Sequence, residues 1–112
     1  MDTIWTHAVT RTGPVTTITL FGEVDFTGRD AIAEIIVAEV GRPGVDAVAI
    51  DMSPVSFLGS AGARALLIGY RAAKALGRRY TVSGFSGATH QVLDLTGVLA
   101  AIEGDRDAAA NW

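Results

Sequence analysis

The spacing of hydrophobic and polar residues divides the chain into segments with different periods. Residues 15–21 alternate with a period of two, which predicts a strand with one buried face. A Gly-Pro pair at positions 13–14 precedes this strand, so residues 4–10 are expected to pair with it as a hairpin. Residues 45–52 are an almost continuous apolar run, the pattern of a strand that a parallel sheet buries on both faces.

Two longer segments have helical periodicity. Between Thr27 and Val40 apolar residues recur every three or four positions, and Asp30 follows Thr27 at the spacing of an N-terminal capping arrangement. Glycine and proline residues directly after this segment end the helix. A second helix is predicted from Ser60 to Gly77, because one face of the segment carries Leu66, Leu67, Tyr70, Ala73 and Leu76.

The last third of the chain adds shorter elements. Ser86 is expected to cap a third helix that ends at Gly97. Residues 79–83 and 98–102 have the pattern of two more strands, the second at an edge of the sheet. Strands that alternate with helices after an opening hairpin predict an α/β fold, with one mixed β-sheet of about five strands and helices packed against it.

Composition indicates one domain without a bound metal or cofactor. The 112 residues are 49% hydrophobic, which is enough for one core, so residues 1–112 are expected to form a single domain. The absence of cysteine excludes disulfides and thiolate metal sites and fits a reducing compartment. The two histidines, His7 and His90, are too far apart in sequence to suggest a metal site, and no Walker or dinucleotide-binding motif is present.

Charge and hydropathy point to a protein partner. The net charge of −3 argues against direct binding of nucleic acid, for which a basic surface is expected. No stretch approaches the ~20 apolar residues of a membrane span, and the first residues do not resemble a signal peptide. We therefore expect a soluble, cytoplasmic protein that binds another protein.

The most informative segment is the glycine-flanked turn that joins an apolar strand to the second helix. It places Ser60 at a helix N-terminus, where free backbone N–H groups and the helix dipole favour negative charge. Ser60 can therefore cap the helix or carry a phosphate. A catalytic serine is disfavoured, because Leu58 stands where a nucleophile elbow needs glycine and no acidic residue lies between Ser60 and His90.

Two charged residues are singled out besides Ser60. Asp25 follows a strand, where an aspartate commonly bonds the backbone of its own turn. Arg64 lies one turn beyond Ser60, where a guanidinium can reach a phosphate or a partner's carboxylate. It also belongs to a basic stripe on one face of the helix that is expected to be solvated, formed by Arg64, Arg71, Lys74 and Arg78.

Three motifs together resemble the STAS domain of bacterial anti-sigma factor antagonists. They are Gly-Glu-Val-Asp at 22–25, Gly-Ser-Ala-Gly at 59–62 and Asp-Leu-Thr-Gly-Val at 94–98. The resemblance extends over about residues 3–103 and leaves a short tail at 104–112. It implies a STAS fold in which Ser60 is the phosphorylated serine and Ala61 and Gly62 match the two residues after it. Gly59 stands where the family has an aspartate.

The resemblance implies a phosphorylation-switched binding module and no enzyme activity. With Ser60 unphosphorylated, the protein would bind an anti-sigma factor with serine kinase activity and so release a sigma factor, and a serine phosphatase would reset it. The expected partner surface includes Asp25, Gly59, Ser60, Ala61, Gly62 and Arg64. Because of Gly59, a second hypothesis stays open: a STAS module without phosphorylation that binds constitutively or senses a small molecule or nucleotide.

Overall fold

The computed structural model of the protein describes residues 4–85 and 87–102. Five strands and three α-helices alternate along this part of the chain, and residues 98–102 are also helical. In chain order the elements are β1 (Trp5–Thr12), β2 (Val15–Val24), a 3₁₀ turn (Phe26–Gly28), α1 (Arg29–Val40), β3 (Ala47–Asp51), β4 (Val55–Leu58), α2 (Ser60–Ala75), β5 (Arg79–Ser83) and α3 (Gly87–Leu95).

The strands form one mixed sheet, as predicted. β1 and β2 pair antiparallel through a turn in which Gly13 has a φ of 58°, a conformation that glycine adopts without strain. β3 and β5 add in parallel, so the order is β1-β2-β3-β5. β4 pairs in parallel with the last residues of β2, beyond the end of β3. It therefore prolongs the sheet toward the carboxyl end of β2.

The hydrophobic core lies between the helices and one face of the sheet. On β2 the buried side chains are Thr16, Ile18, Leu20 and Val24, which confirms the alternation predicted for residues 15–21. The helices contribute further buried residues, among them Ile32, Ile36, Val40, Ala63, Leu66, Ala73 and Leu93. Each large aliphatic side chain buried in this way stabilises the fold by about 1.5–3 kcal/mol.

A glycine lets α1, α2 and β5 approach closely. A Cβ at Gly69 would lie 2.3 Å from Ile36 Cγ2 and 2.8 Å from the Tyr80 hydroxyl oxygen. That hydroxyl donates to the Leu66 carbonyl at 2.8 Å, and burial raises the pKa of Tyr80 above its usual value. The contact fixes the position of α2 on the sheet and hence the position of its N-terminus.

The end of α1 is held by charged side chains from three other segments. The buried Glu39 carboxylate forms an ion pair with Arg11 of β1, and Arg42 approaches it to 3.5 Å. Arg78 donates to the backbone carbonyls of Val40 and Arg42. These contacts pair the buried carboxylate with two arginines and give the two carbonyls near the helix terminus a donor, and such groups are costly to leave unpaired when buried.

Two local predictions are wrong. Residues 98–102 are helical, not a strand, because Gly97 reverses the chain with a φ of 77° and Val98 and Ile102 are then buried four positions apart. The first helix starts at Arg29 and not at Thr27, because residues 26–28 form a 3₁₀ turn and no side chain caps α1.

The fifth strand of the sheet is β4, a segment that was predicted from the sequence to be part of a turn. The predicted cap Ser86 and the tail at 104–112 lie outside the described residues.

Candidate functional site

Ser60 is the first residue of α2 and lies where β2 and β4 end. The Gly59 N–H donates to the Val24 carbonyl at 2.9 Å, which continues the pairing of the two strands up to the serine. The Gly59 carbonyl accepts the N–H of Ala63 at 3.0 Å, so Gly59 occupies the N-cap position. This direct passage from strand to helix leaves the Ser60 side chain exposed at the edge of the sheet.

The Ser60 hydroxyl does not cap α2, so that predicted role is wrong. A capping side chain must stand at the N-cap, and Gly59 stands there with extended backbone angles of φ −93° and ψ 171°. Within residues 4–85 and 87–102 the Ser60 hydroxyl has no hydrogen-bond partner. It is therefore free to react or to contact another molecule at the positive end of the helix dipole.

The Asp25 carboxylate lies directly against Gly59. A Cβ at position 59 would be 1.9 Å from Asp25 Oδ1 and 2.2 Å from Asp25 Cγ, so the carboxylate fills the space that a side chain there would need. Asp25 does not cap its own turn through its side chain, although its carbonyl accepts the Gly28 N–H at 3.1 Å. The structure therefore places a negative charge beside Ser60 and does not support the turn-aspartate interpretation.

Gly62 allows α2 to touch the end of β2. A Cβ at this position would lie 2.2 Å from the Val24 carbonyl oxygen, which belongs to the backbone and cannot move aside easily. Gly62 and Gly59 are both buried, whereas Ser60 is exposed and Ala61 is half-buried. Of the predicted partner residues, the two glycines therefore position the serine, and the others reach the surface.

A shallow groove beside Ser60 brings together two arginines from different helices. Arg64 lies one turn along α2, and Arg29 begins α1. Both line the groove with Ser60, Ala61, Leu67, Thr96 and Val98. Sequence reasoning singled out Arg64 but missed Arg29, whose only signal is its charge at the start of a helix shortly after Asp25.

Two exposed phenylalanines lie close in sequence to Asp25 and Ser60. Phe26 directly follows Asp25 and is 71% exposed, and Phe57 on β4 precedes Ser60 by three residues and is 51% exposed. The Arg29 guanidinium lies 5.3 Å from the centre of the Phe26 ring and also donates to Asp30 at 3.0 Å. Neither phenylalanine was predicted from the sequence to belong to the site.

The remaining polar clusters serve the fold. The basic stripe predicted on α2 is broken at Arg78, which is half-buried and bonds the end of α1. Asp51 accepts hydrogen bonds from the Ser53 hydroxyl and N–H, which lower the pKa of its carboxyl and hold the turn between β3 and β4.

Among the residues that the structure describes, no cluster of three metal-ligating side chains occurs. In the same part of the chain, no helix is long and apolar enough to cross a membrane.

The fold is similar to that of several solved proteins. An anti-sigma factor antagonist from Mycobacterium paratuberculosis is 30% identical, with a TM-score of 0.74 over 84% of this chain and 79% of that chain. The anti-sigma factor antagonist SpoIIAA in its unphosphorylated form is 22% identical, with a TM-score of 0.72 over 82% of this chain and 81% of that chain. The phosphorylated form of SpoIIAA from Bacillus is also 22% identical, with a TM-score of 0.67 and coverages of 82% and 84%. No curated protein matches the chain.

A family model gives a direct assignment. The model of the STAS domain matches residues 7–109, which include Asp25, the turn at Ser60 and the groove beside it. The mixed five-stranded sheet and the helices packed on it agree with the fold of SpoIIAA. The protein therefore belongs to the STAS domain family.

Proposed function

We propose that the protein is an anti-sigma factor antagonist. With Ser60 unphosphorylated, it binds an anti-sigma factor and so releases a sigma factor for transcription. The proposal is supported by the 30% identity to an anti-sigma factor antagonist that aligns over most of both chains. In this role the protein acts in the cytoplasm, has no catalytic activity of its own, and binds no nucleic acid directly.

The proposed docking surface surrounds Ser60. Its polar part consists of the half-buried Asp25 and the exposed Arg64, with Ala61 between them on the first turn of α2. Its apolar part consists of Phe26 and Phe57, because aromatic side chains contribute strongly where an interface excludes water. A surface with a free hydroxyl, both signs of charge and two exposed rings suits a protein partner better than a small ligand.

Phosphorylation of Ser60 is proposed to switch this surface off. The partner is an anti-sigma factor with serine kinase activity, and a serine phosphatase removes the phosphate. A phosphoserine carries about −1.5 to −2 charges at neutral pH. At the first residue of α2 the helix dipole accommodates this charge, so the fold does not need to open. In a docked interface the same charge is desolvated or meets like charge, which weakens binding.

The observation that carries the proposal is the exposed Ser60 hydroxyl, which the fold does not use for capping. The test is incubation with ATP and the cognate anti-sigma kinase, followed by intact-mass measurement and mapping of the phosphate. We expect one phosphate, on Ser60 alone, and none on the Ser60→Ala variant. Phosphate on Thr27 or Ser86, or phosphate that persists in Ser60→Ala, would contradict the proposal.

A second candidate function follows from Gly59. Position 59 has no carboxylate of its own, so the turn lacks a kinase contact that the family pattern would provide. The protein would then be a constitutive binder or a sensor of a small molecule or nucleotide. Tight binding of the anti-sigma factor together with an unchanged mass after incubation with ATP would favour constitutive binding.

A further inference from the structure

Two arginines line the groove that borders Ser60. Arg64 reaches it from the second turn of α2, and Arg29 reaches it from the first residue of α1. The packing of α1 on α2 brings the two residues to the same groove as the serine, although they are 35 positions apart in sequence. A groove lined by two arginines and a hydroxyl has the chemistry to bind an oxyanion.

Both arginines are available for a new partner. Arg64 is exposed and forms no ion pair or hydrogen bond within residues 4–85 and 87–102. Arg29 is bonded to Asp30, whose side chain is 82% exposed, and such surface pairs contribute only about 0–1 kcal/mol. By contrast, Arg11 and Arg78 are engaged in the ion pair and carbonyl contacts that hold α1.

A phosphate on Ser60 needs positive charge close by. The Asp25 carboxylate lies against Gly59, so a dianionic phosphate on the next residue would face a like charge. Asp30, beside Arg29, adds a second negative charge in the neighbourhood. Two guanidinium groups offset these charges, and each can donate two parallel bonds to phosphate oxygens.

We propose that Arg29 and Arg64 bind the phosphate of phosphorylated Ser60 within the same molecule. The phosphate group is then held in the groove. The two guanidinium groups are no longer available to acidic side chains of a partner. Phosphorylation thus replaces intermolecular ion pairs by intramolecular ones. This inference extends the proposed function, because it takes Ser60 as the phosphorylated residue.

The test uses full-length protein in which phosphoserine is incorporated at position 60 during synthesis, so that no kinase is needed. The second ionisation of the phosphate is followed by ³¹P NMR at low salt. A free phosphoserine has a second pKa of about 6. In the unmodified background we expect a lower phosphate pKa, and Arg64→Gln and Arg29→Gln are each expected to raise it by about one unit.

Arg71→Gln is the matched control, because Arg71 is exposed on α2 but does not line the groove. This control is expected to leave the phosphate pKa unchanged. The inference is overturned if the phosphate titrates identically in all four proteins, or if Arg71→Gln raises its pKa as much as Arg64→Gln does. Failure of a kinase to modify Ser60 would contradict the proposed function and leave this result unaffected, so the two failures are distinguishable.

Discussion

The Asp25 carboxylate occupies the space beside Ser60 that a side chain at position 59 would need. Because a Cβ at position 59 would lie 1.9 Å from Asp25 Oδ1, any side chain there must displace the Asp25 carboxylate. The backbone itself does not forbid substitution, since Gly59 has a φ of −93°. Gly59, which departs from the family pattern, is thus coupled to Asp25, which matches it. Asp25 supplies the negative charge at this point.

This coupling predicts non-additive effects of substitution. Gly59→Asp is expected to lower the free energy of unfolding by about 1–3 kcal/mol, because it overfills the site and brings two carboxylates together. Adding Asp25→Ala should recover about 1 kcal/mol or more of this loss. Urea unfolding of the two single variants and the double variant measures the coupling. Strictly additive changes would show that the two positions do not share this space.

Ser60→Ala should be nearly neutral for stability. An N-cap serine replaced by alanine costs about 1 kcal/mol, but Ser60 is inside the helix and its hydroxyl does not cap α2. Alanine is also a better helix former than serine. The free energy of unfolding from urea titration is therefore expected to stay within about 0.5 kcal/mol of the unmodified protein. A loss of a full capping contribution would contradict the assignment of Gly59 as the N-cap.

The contact of Tyr80 on β5 with Leu66 on α2 is expected to make the free energy of unfolding depend on pH in the alkaline range. The buried Tyr80 hydroxyl donates to the Leu66 carbonyl, and burial raises the pKa of Tyr80 in the folded state above its usual value of about 10. Above about pH 10 the folded protein therefore keeps the Tyr80 hydroxyl proton, whereas the unfolded chain releases it. The associated stability is complete below about pH 10 and declines as the pH rises further.

Tyr80→Phe isolates this contribution. The variant is expected to be less stable by about 1–2 kcal/mol at neutral pH, because the buried hydrogen bond from the Tyr80 hydroxyl to the Leu66 carbonyl is lost. Above about pH 10 the difference between the two proteins should shrink, since phenylalanine has no proton to release. Urea unfolding between pH 8 and pH 11 gives both values. Parallel loss of stability in the two proteins would contradict this assignment.

Sequence periodicity predicted the elements that carry strong repeating patterns. The alternation in β2 and the helical face of α1 appear as expected, because burial on one face is what produces such patterns. The face predicted for α2 is confirmed except at Leu76, which lies just beyond the helix and is 56% exposed. Residues 98–102 were wrongly predicted as a strand, since a short apolar run has no period long enough to separate helix from strand. β4 was not predicted as a strand, because its pairing with the carboxyl end of β2 depends on contacts between segments far apart in sequence.

At the scale of the whole molecule, the site is a surface assembled from separate parts of the chain. The motifs pointed to Asp25, Ser60 and Arg64, because their spacing from a strand or helix end is visible in the sequence. Arg29 could not be assigned in this way, since only the packing of α1 on α2 brings it to the same groove as the serine. The exposure of Phe57 was equally hidden, because it depends on the pairing of β4 with β2. A motif identifies the residues of a site that are close in sequence, whereas the residues that surround it from other elements are found only once the fold is known.

Phe57 tests whether the apolar part of this surface binds the partner. Phe57→Ser is expected to weaken binding of the anti-sigma factor by about tenfold or more, with little effect on stability because the ring is exposed. Leu76→Ser is the control, since Leu76 is 56% exposed at the opposite end of α2. Calorimetric titration of both variants gives the affinities. Equal weakening by the two substitutions would argue against a docking surface centred on Ser60.

The central claim is that a phosphate on Ser60 blocks partner binding without unfolding the protein. The most direct measurement is calorimetric titration of the anti-sigma factor with unphosphorylated and fully phosphorylated protein, paired with thermal unfolding of both. We predict that phosphorylation lowers the affinity on the order of 100-fold or more, while the two proteins unfold at closely similar temperatures. Tight binding by the fully phosphorylated protein, or its extensive unfolding at the assay temperature, would contradict the account.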